Sequence, residues 1–284
     1  MLSFTRFVAI AFVAIAPQFL PTASGLLPTA SAEVVAEYSA GHADIGIRRV
    51  DGELDLHYRF GSDAVLDNVV IGDGQPPGFE LYLNPSEAYT RVPDQQGFDF
   101  SILPPSLGFT GVIDDSDPTT ADLYLLPQGS VAGVPFLGFT AEDLVGEGYV
   151  GAASFSLIDV EFTAQGQGVA DDAHFSLFSF DDFGNVTDVF MDTLDGIDPG
   201  DDVLPLSIGG HTHYTLGFTE EGLYRVTLEA SAVHSLDGRQ ADREVFTFAV
   251  GSATTIPEPA SLGLLTATGA LAACRFRRKR KRSA

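Results

Sequence analysis

The stretch Asp44-Ile45-Gly46-Ile47-Arg48-Arg49-Val50-Asp51-Gly52-Glu53-Leu54-Asp55-Leu56-His57-Tyr58-Arg59-Phe60 reads as two strands and a tight turn. Asp51-Gly52 supplies two residues that tolerate positive φ, which a two-residue hairpin turn demands. In the second arm Leu54, Leu56, Tyr58 and Phe60 alternate with Glu53, Asp55, His57 and Arg59. A period of two means one buried face and one wet face, so His57 is expected to point to solvent.

The same signature recurs along the chain. Residues 79–83, 122–126, 149–162, 173–180, 186–191, 211–218, 223–233 and 245–250 all read as strands, most of them bounded by Gly, Pro or Asp. The apolar parity flips between Leu157 and Ile158 and again between Leu177 and Phe178. A β-bulge, or burial on both faces, accounts for such a flip. One short helix is expected after Thr140, where Thr140 and Asp143 resemble a capping box leading into Leu144 and Val145. Tyr224 follows a glycine turn at a strand start, a position where an inward tyrosine bonds back to the preceding loop in immunoglobulin-like domains. With 30 Gly, 16 Pro, 22 Phe, 2 Met and no Trp, the composition favours turns and strands over a helical bundle. The expectation is an all-β fold, an antiparallel β-sandwich of immunoglobulin-like or jelly-roll-like type. The loop-rich region 108–117 is the one place where the body could divide in two.

The 284 residues carry a net charge of −24, distributed unevenly. Residues 33–256 hold 38 acidic residues against seven arginines and no lysine, a net charge of −31, whereas Arg275, Arg277, Arg278, Lys279, Arg280, Lys281 and Arg282 crowd the last ten positions. So acidic a body repels phosphate backbones, and no nucleic acid partner is expected.

Both ends read as addresses. Arg6, the apolar run 7–16 and Ala30-Ser31-Ala32 form a secretory signal peptide over residues 1–32, with cleavage expected after Ala32 and export through the Sec machinery. After a body at 33–252 and a linker at 253–256, Pro257-Glu258-Pro259 opens residues 257–284, in which fifteen mostly apolar residues (260–274) precede the basic cluster. As a helix those fifteen span roughly 22 Å against a hydrocarbon core of about 30 Å, a marginal and transient inner-membrane anchor with its positive end held inside. Cys274, the single cysteine, lies in this tail, so no disulfide framework supports the body.

Pro257-Glu258-Pro259, the apolar helix and the basic tail resemble the PEP-CTERM sorting signal of bacterial surface proteins. That resemblance implies recognition by an exosortase-type membrane protease and delivery to the cell surface or its exopolysaccharide matrix. The series Gly41-His42-Ala43-Asp44-Ile45-Gly46, Asp51-Gly52, Phe183-Gly184-Asn185, Asp195-Gly196-Ile197, His211-Thr212-His213-Tyr214 and Gly222-Leu223-Tyr224-Arg225-Val226-Thr227 is similar to the choice-of-anchor M domain. Thr215-Leu216 stands where that family tends to have Asn-Trp.

His211 and His213 lie two apart, so on a strand both imidazoles leave one face while Tyr214, Leu216 and Phe218 fill the core. Two imidazoles can grip one zinc-like ion, and His42 and Asp44 complete the set if their strand pairs with that of the histidines. The alternative is a pair of hydrogen-bonding histidines at a strand start. Asp114, Asp115 and Asp117 with Asp122 form one acidic loop, and Asp192, Asp195, Asp198, Asp201 and Asp202 another. Each offers oxygens for calcium, or is a solvated turn in which Asp caps backbone amides. No G-x-S-x-G elbow, H-E-x-x-H helix or phosphate-binding glycine loop occurs, and no catalytic residue is assigned. The expected role is a structural or adhesive surface protein; a divalent-metal- or glycan-binding module is the alternative, and a metal-dependent hydrolase the distant one.

Overall fold

The computed structural model describes residues 35–94, 124–164 and 173–251. The segments 1–32 and 257–284, read above as a signal peptide and a sorting tail, and Asp114, Asp115, Asp117 and Asp122 lie outside the described residues, as does the proposed division at 108–117.

Among the described residues sixteen strands follow one another: β1 (Ala36–Val50), β2 (Glu53–Phe60), β3 (Val65–Leu66), β4 (Val69–Val70), β5 (Leu81–Leu83), β6 (Ala88–Val92), β7 (Tyr124–Leu126), β8 (Pro135–Thr140), β9 (Tyr149–Ala164), β10 (Phe175–Phe180), β11 (Val186–Asp192), β12 (Val203–Ser207), β13 (His211–His213), β14 (Thr215–Phe218), β15 (Gly222–His234) and β16 (Gly238–Val250). The fold is all-β. Most pairings are antiparallel; β1 with β6, β1 with β8 and β16 with β6 run parallel.

Strand β1 ties the layers together. Its start pairs with β6, at Ala36↔Ala88, in a layer ordered β12-β9-β15-β16-β6-β1. Beyond Gly41 it leaves that layer and lies between β2 and β8 in a second sheet, ordered β13-β8-β1-β2-β5. Gly41 makes the bend: its φ is +81°, and a Cβ there would sit 2.1 Å from the backbone oxygen of Asp63. Strands β11-β10-β14-β7 form a further four-stranded sheet.

Aromatic rings fill the space between the layers. Tyr58 of β2 meets Phe246 of β16 edge-on at 5.0 Å, Phe139 of β8 meets Phe155 of β9 at 5.3 Å, and Phe218 of β14 meets Phe248 of β16 at 5.2 Å. These rings are buried, and each removes on the order of 150–250 Å² from water.

Several local expectations meet their physical counterparts. Asp51 and Gly52 take φ of 52° and 93° and close the β1–β2 hairpin. The parity flip at Ile158 is a bulge, since Leu228 pairs with Leu157 while Thr227 pairs with Asp159. The flip at Phe178 is likewise a register shift against β11. Tyr224 is fully buried, and its hydroxyl accepts a hydrogen bond from the Glu220 amide at 3.1 Å.

Other expectations are corrected. His57 does sit on the outer face of β2, yet it is only 1% exposed, because Tyr82 of the neighbouring β5 packs its ring 5.2 Å from the imidazole. Burial pushes the His57 pKa down, and Nδ1 lies 3.1 Å from the Asp55 carbonyl. The segment after Thr140 forms only a 3-10 turn, Glu142–Leu144, in which Thr140 Oγ1 accepts from the Glu142 amide. A complete capping box occurs instead at Asn84 and Glu87. Residues 211–218 are two strands rather than one: β13 pairs with β8, and after Tyr214 the chain enters β14, which pairs with β10 and β7.

Candidate metal centre

His42 and Asp44 project from one face of β1, two residues apart. His211 and His213 do the same from β13. The two strands do not pair, although pairing was the condition set for joining the four residues, because β8 runs between them. His213 lies opposite Gly138 of β8, and Gly138 lies opposite Asp44 of β1. The four side chains nevertheless meet, because the position between them carries no side chain. A Cβ on Gly138 would fall 2.5 Å from Asp44 Oδ1 and 2.7 Å from His213 Cε1. A glycine inside a strand commonly marks such a close approach.

The donor atoms converge. His211 Nε2 and His213 Nε2 are 3.1 Å apart, and His42 Nε2 and His213 Nε2 are 3.2 Å apart. Asp44 Oδ1 lies 2.9 Å from His211 Nε2, 3.6 Å from His42 Nε2 and 3.9 Å from His213 Nε2. All four fall within 4.8 Å of one another. A tetrahedral ion bound at 2.0–2.2 Å holds its donors about 3.2–3.6 Å apart, close to the observed spacing. Among the described residues this is the one group of three or more His, Cys, Asp or Glu with such convergence.

Burial and charge suit the same task. The Asp44 side chain is 2% exposed, and its Oδ1 is met by imidazole nitrogens, with His211 Nε2 at 2.9 Å, rather than by a well-aligned backbone or hydroxyl donor. A buried carboxylate oxygen left in that state is costly, and a shared cation among the lone pairs would satisfy it. Burial pushes the Asp44 pKa up, but the polar contacts and charge of His211 and His42 outweigh it and hold the group well below the usual carboxylate range. Asp44 raises the pKa of His211 in return. His213 is pushed down to about 4, chiefly by burial, with its neighbouring imidazoles adding repulsion. At neutral pH the site therefore offers an ionised carboxylate and, at His213, a neutral imidazole with one nitrogen lone pair available to a metal.

Three further residues shape the site, and sequence reasoning missed them. Phe136 of β8 stacks flat on His213, with ring centroids 3.7 Å apart and 4° between the planes. Gly138 clears the space. Glu142 places Oε2 3.8 Å from His211 Nδ1 and is itself held by Arg59 Nη1 at 2.6 Å, the kind of outer carboxylate that orients a metal-binding ring. The available signal was Gly138 itself, an isolated glycine in the apolar run 134–139.

The acidic residues near 192–202 are arranged differently. Asp192 Oδ1 accepts from the Leu194 amide and Asp198 Oδ1 from the Gly200 amide, while Asp195 is exposed. Asp202 accepts from the amides of both Asp192 and Asp198. These carboxylates are engaged in turn capping, the alternative to calcium binding weighed for this loop.

The structure thus brings His42, Asp44, His211 and His213 into one cluster that could hold a metal ion, and leaves Asp192, Asp195 and Asp198 outside any such cluster. Compared with known proteins, the chain matches no protein-family model, no curated protein and no solved structure.

Proposed function

We propose that this protein is an exported, surface-destined structural component whose β-sandwich body holds one divalent transition-metal ion of the zinc class at His42, Asp44, His211 and His213. The observation that carries the metal reading is the convergence of three Nε2 atoms and one buried carboxylate oxygen across a glycine. Imidazole with a single carboxylate suits zinc, whereas calcium calls for six to eight oxygens. Four protein donors fill a tetrahedral shell, the arrangement of a structural site, and this favours binding over turnover. Export rests on the two ends of the sequence: the signal peptide, and a sorting tail that would pass the body to an exosortase-type protease.

Elemental analysis of the purified chain tests the metal reading, with about one zinc per chain expected after dialysis against zinc. Gly138→Ala fills the space between Asp44 and His213 and is expected to lower affinity at least about tenfold while the far-ultraviolet spectrum stays that of a β protein. A wild-type chain that retains no zinc sinks the reading, as does a Gly138→Ala chain that binds as tightly as wild type. Mass spectrometry of the native protein addresses export separately: a mature N-terminus at Glu33 supports it, and an intact cytosolic chain refutes it.

A further inference from the structure

The three residues of β13 hold a junction. Within residues 203–218 the chain visits three sheets: β12 pairs with β9 in the first layer, β13 pairs with β8 at the edge of the second sheet, and β14 pairs with β10 and β7 in the four-stranded sheet. One backbone bond of residues 209–213 closes a local turn, from the Gly210 amide to the Ser207 carbonyl at 2.7 Å, and others run to 138–141. These others comprise the β13–β8 ladder, a bond from the Gly209 amide to the Ala141 carbonyl at 3.0 Å, and one from the Ala141 amide to the Gly210 carbonyl at 2.8 Å. A three-residue edge strand is a weak hold, and such elements open first in native proteins.

The candidate metal site reaches beyond that hold. His211 and His213 belong to the edge strand, whereas His42 and Asp44 belong to β1, which is paired on both sides and lies one strand further in. An ion bound by all four would cross over β8 through the space above Gly138. It would link residues 171 positions apart in the chain.

Building on the metal reading above, we infer that the ion is a staple: its occupancy locks β13 against the body, and its loss opens residues 208–214 while the rest of the sandwich stays folded. The free metal level outside the cell then sets the rigidity of the junction among the three sheets. Opening that breaks the site is suppressed by the factor one plus the ratio of free metal to its dissociation constant, which is about 100-fold when the metal stands at a hundred times that constant.

Hydrogen exchange of the full chain, read by mass spectrometry with zinc and with EDTA, tests this, with bound zinc measured on the same samples. Exchange in 208–214 is expected to quicken by up to about 100-fold in EDTA, with β15 and β16 keeping their protection. His42→Ala alters no residue of β13 or β8, yet in zinc it should reproduce the EDTA pattern at 208–214 and respond no further to EDTA. Zinc bound at one per chain with unchanged exchange at 208–214 overturns the staple and leaves the metal reading standing. No zinc bound overturns both. Loss of protection throughout β15 and β16 in EDTA, or a His42→Ala chain as protected at 208–214 as zinc-loaded wild type, also overturns the staple.

Discussion

Asp44 shows how one residue can be both a burden and an asset. A carboxylate with 2% of its side chain exposed has lost its water, and the imidazoles of His211 and His42, 2.9 and 3.6 Å away, are what keep it ionised. The metal-free protein should therefore show a defined pH window. Asp44 is depressed in the folded state, so its stabilisation is present above its unfolded pKa of about 3.9 and is lost as pH falls through the folded value. His211 is raised, so its share is full below about 6.5 and is lost as pH rises through its folded value. The unfolding free-energy difference between metal-free wild type and Asp44→Asn should thus be largest between about pH 4 and 6.5, as read by urea titration across that range. A difference independent of pH would show that the two groups are not coupled. At this scale the sequence offered His211 and His213 from their two-residue spacing, and His42 and Asp44 from the segment 41–46 that resembles the choice-of-anchor M domain. Gly138 escaped notice because an absent side chain carries no chemistry until its neighbours are known.

Among the elements, β1 carries the most, and its bend is its vulnerable point. Gly41 needs a positive φ and has the Asp63 carbonyl where a Cβ would go. Gly41→Ala should cost at least about 1–3 kcal/mol from the strained backbone alone, more once the clash is included, read as a lower urea midpoint with an unchanged slope. A neutral substitution would mean that β1 can pass between sheets by another route. Strands with clean alternation, such as β2 and β15, were legible because one face is buried and the other wet. Strand β8 was not, since Pro135-Phe136-Leu137-Gly138-Phe139-Thr140 shows no alternation. Of its six residues only Phe136 escapes full burial, and a strand covered on both faces loses its period-two signal. His57 was misplaced for a related reason: period two tells which face a residue occupies, but not that Tyr82 of another strand will cover that face.

For the molecule as a whole, the absence of cysteine before position 274 leaves core packing, hydrogen bonding and any bound ion to hold the body. Reductant should accordingly leave the melting temperature of the full chain unchanged, whereas a shift on adding dithiothreitol would contradict this account. The strongly acidic body and basic tail are fixed by composition, so their opposite charges needed no structure to be seen. The all-β class was equally plain, because alternation, bulges and the Asp-Gly turn are local consequences of backbone geometry. Which strands lie side by side was not local. Parallel pairing of β1 with β8, and the placing of β13 on the far side of β8, depend on packing among residues far apart in the chain. Sequence therefore determined the kind of strand and the donors available, and only the tertiary structure decided that four of those donors share one point, because convergence is a property of distances that no spacing along the chain encodes.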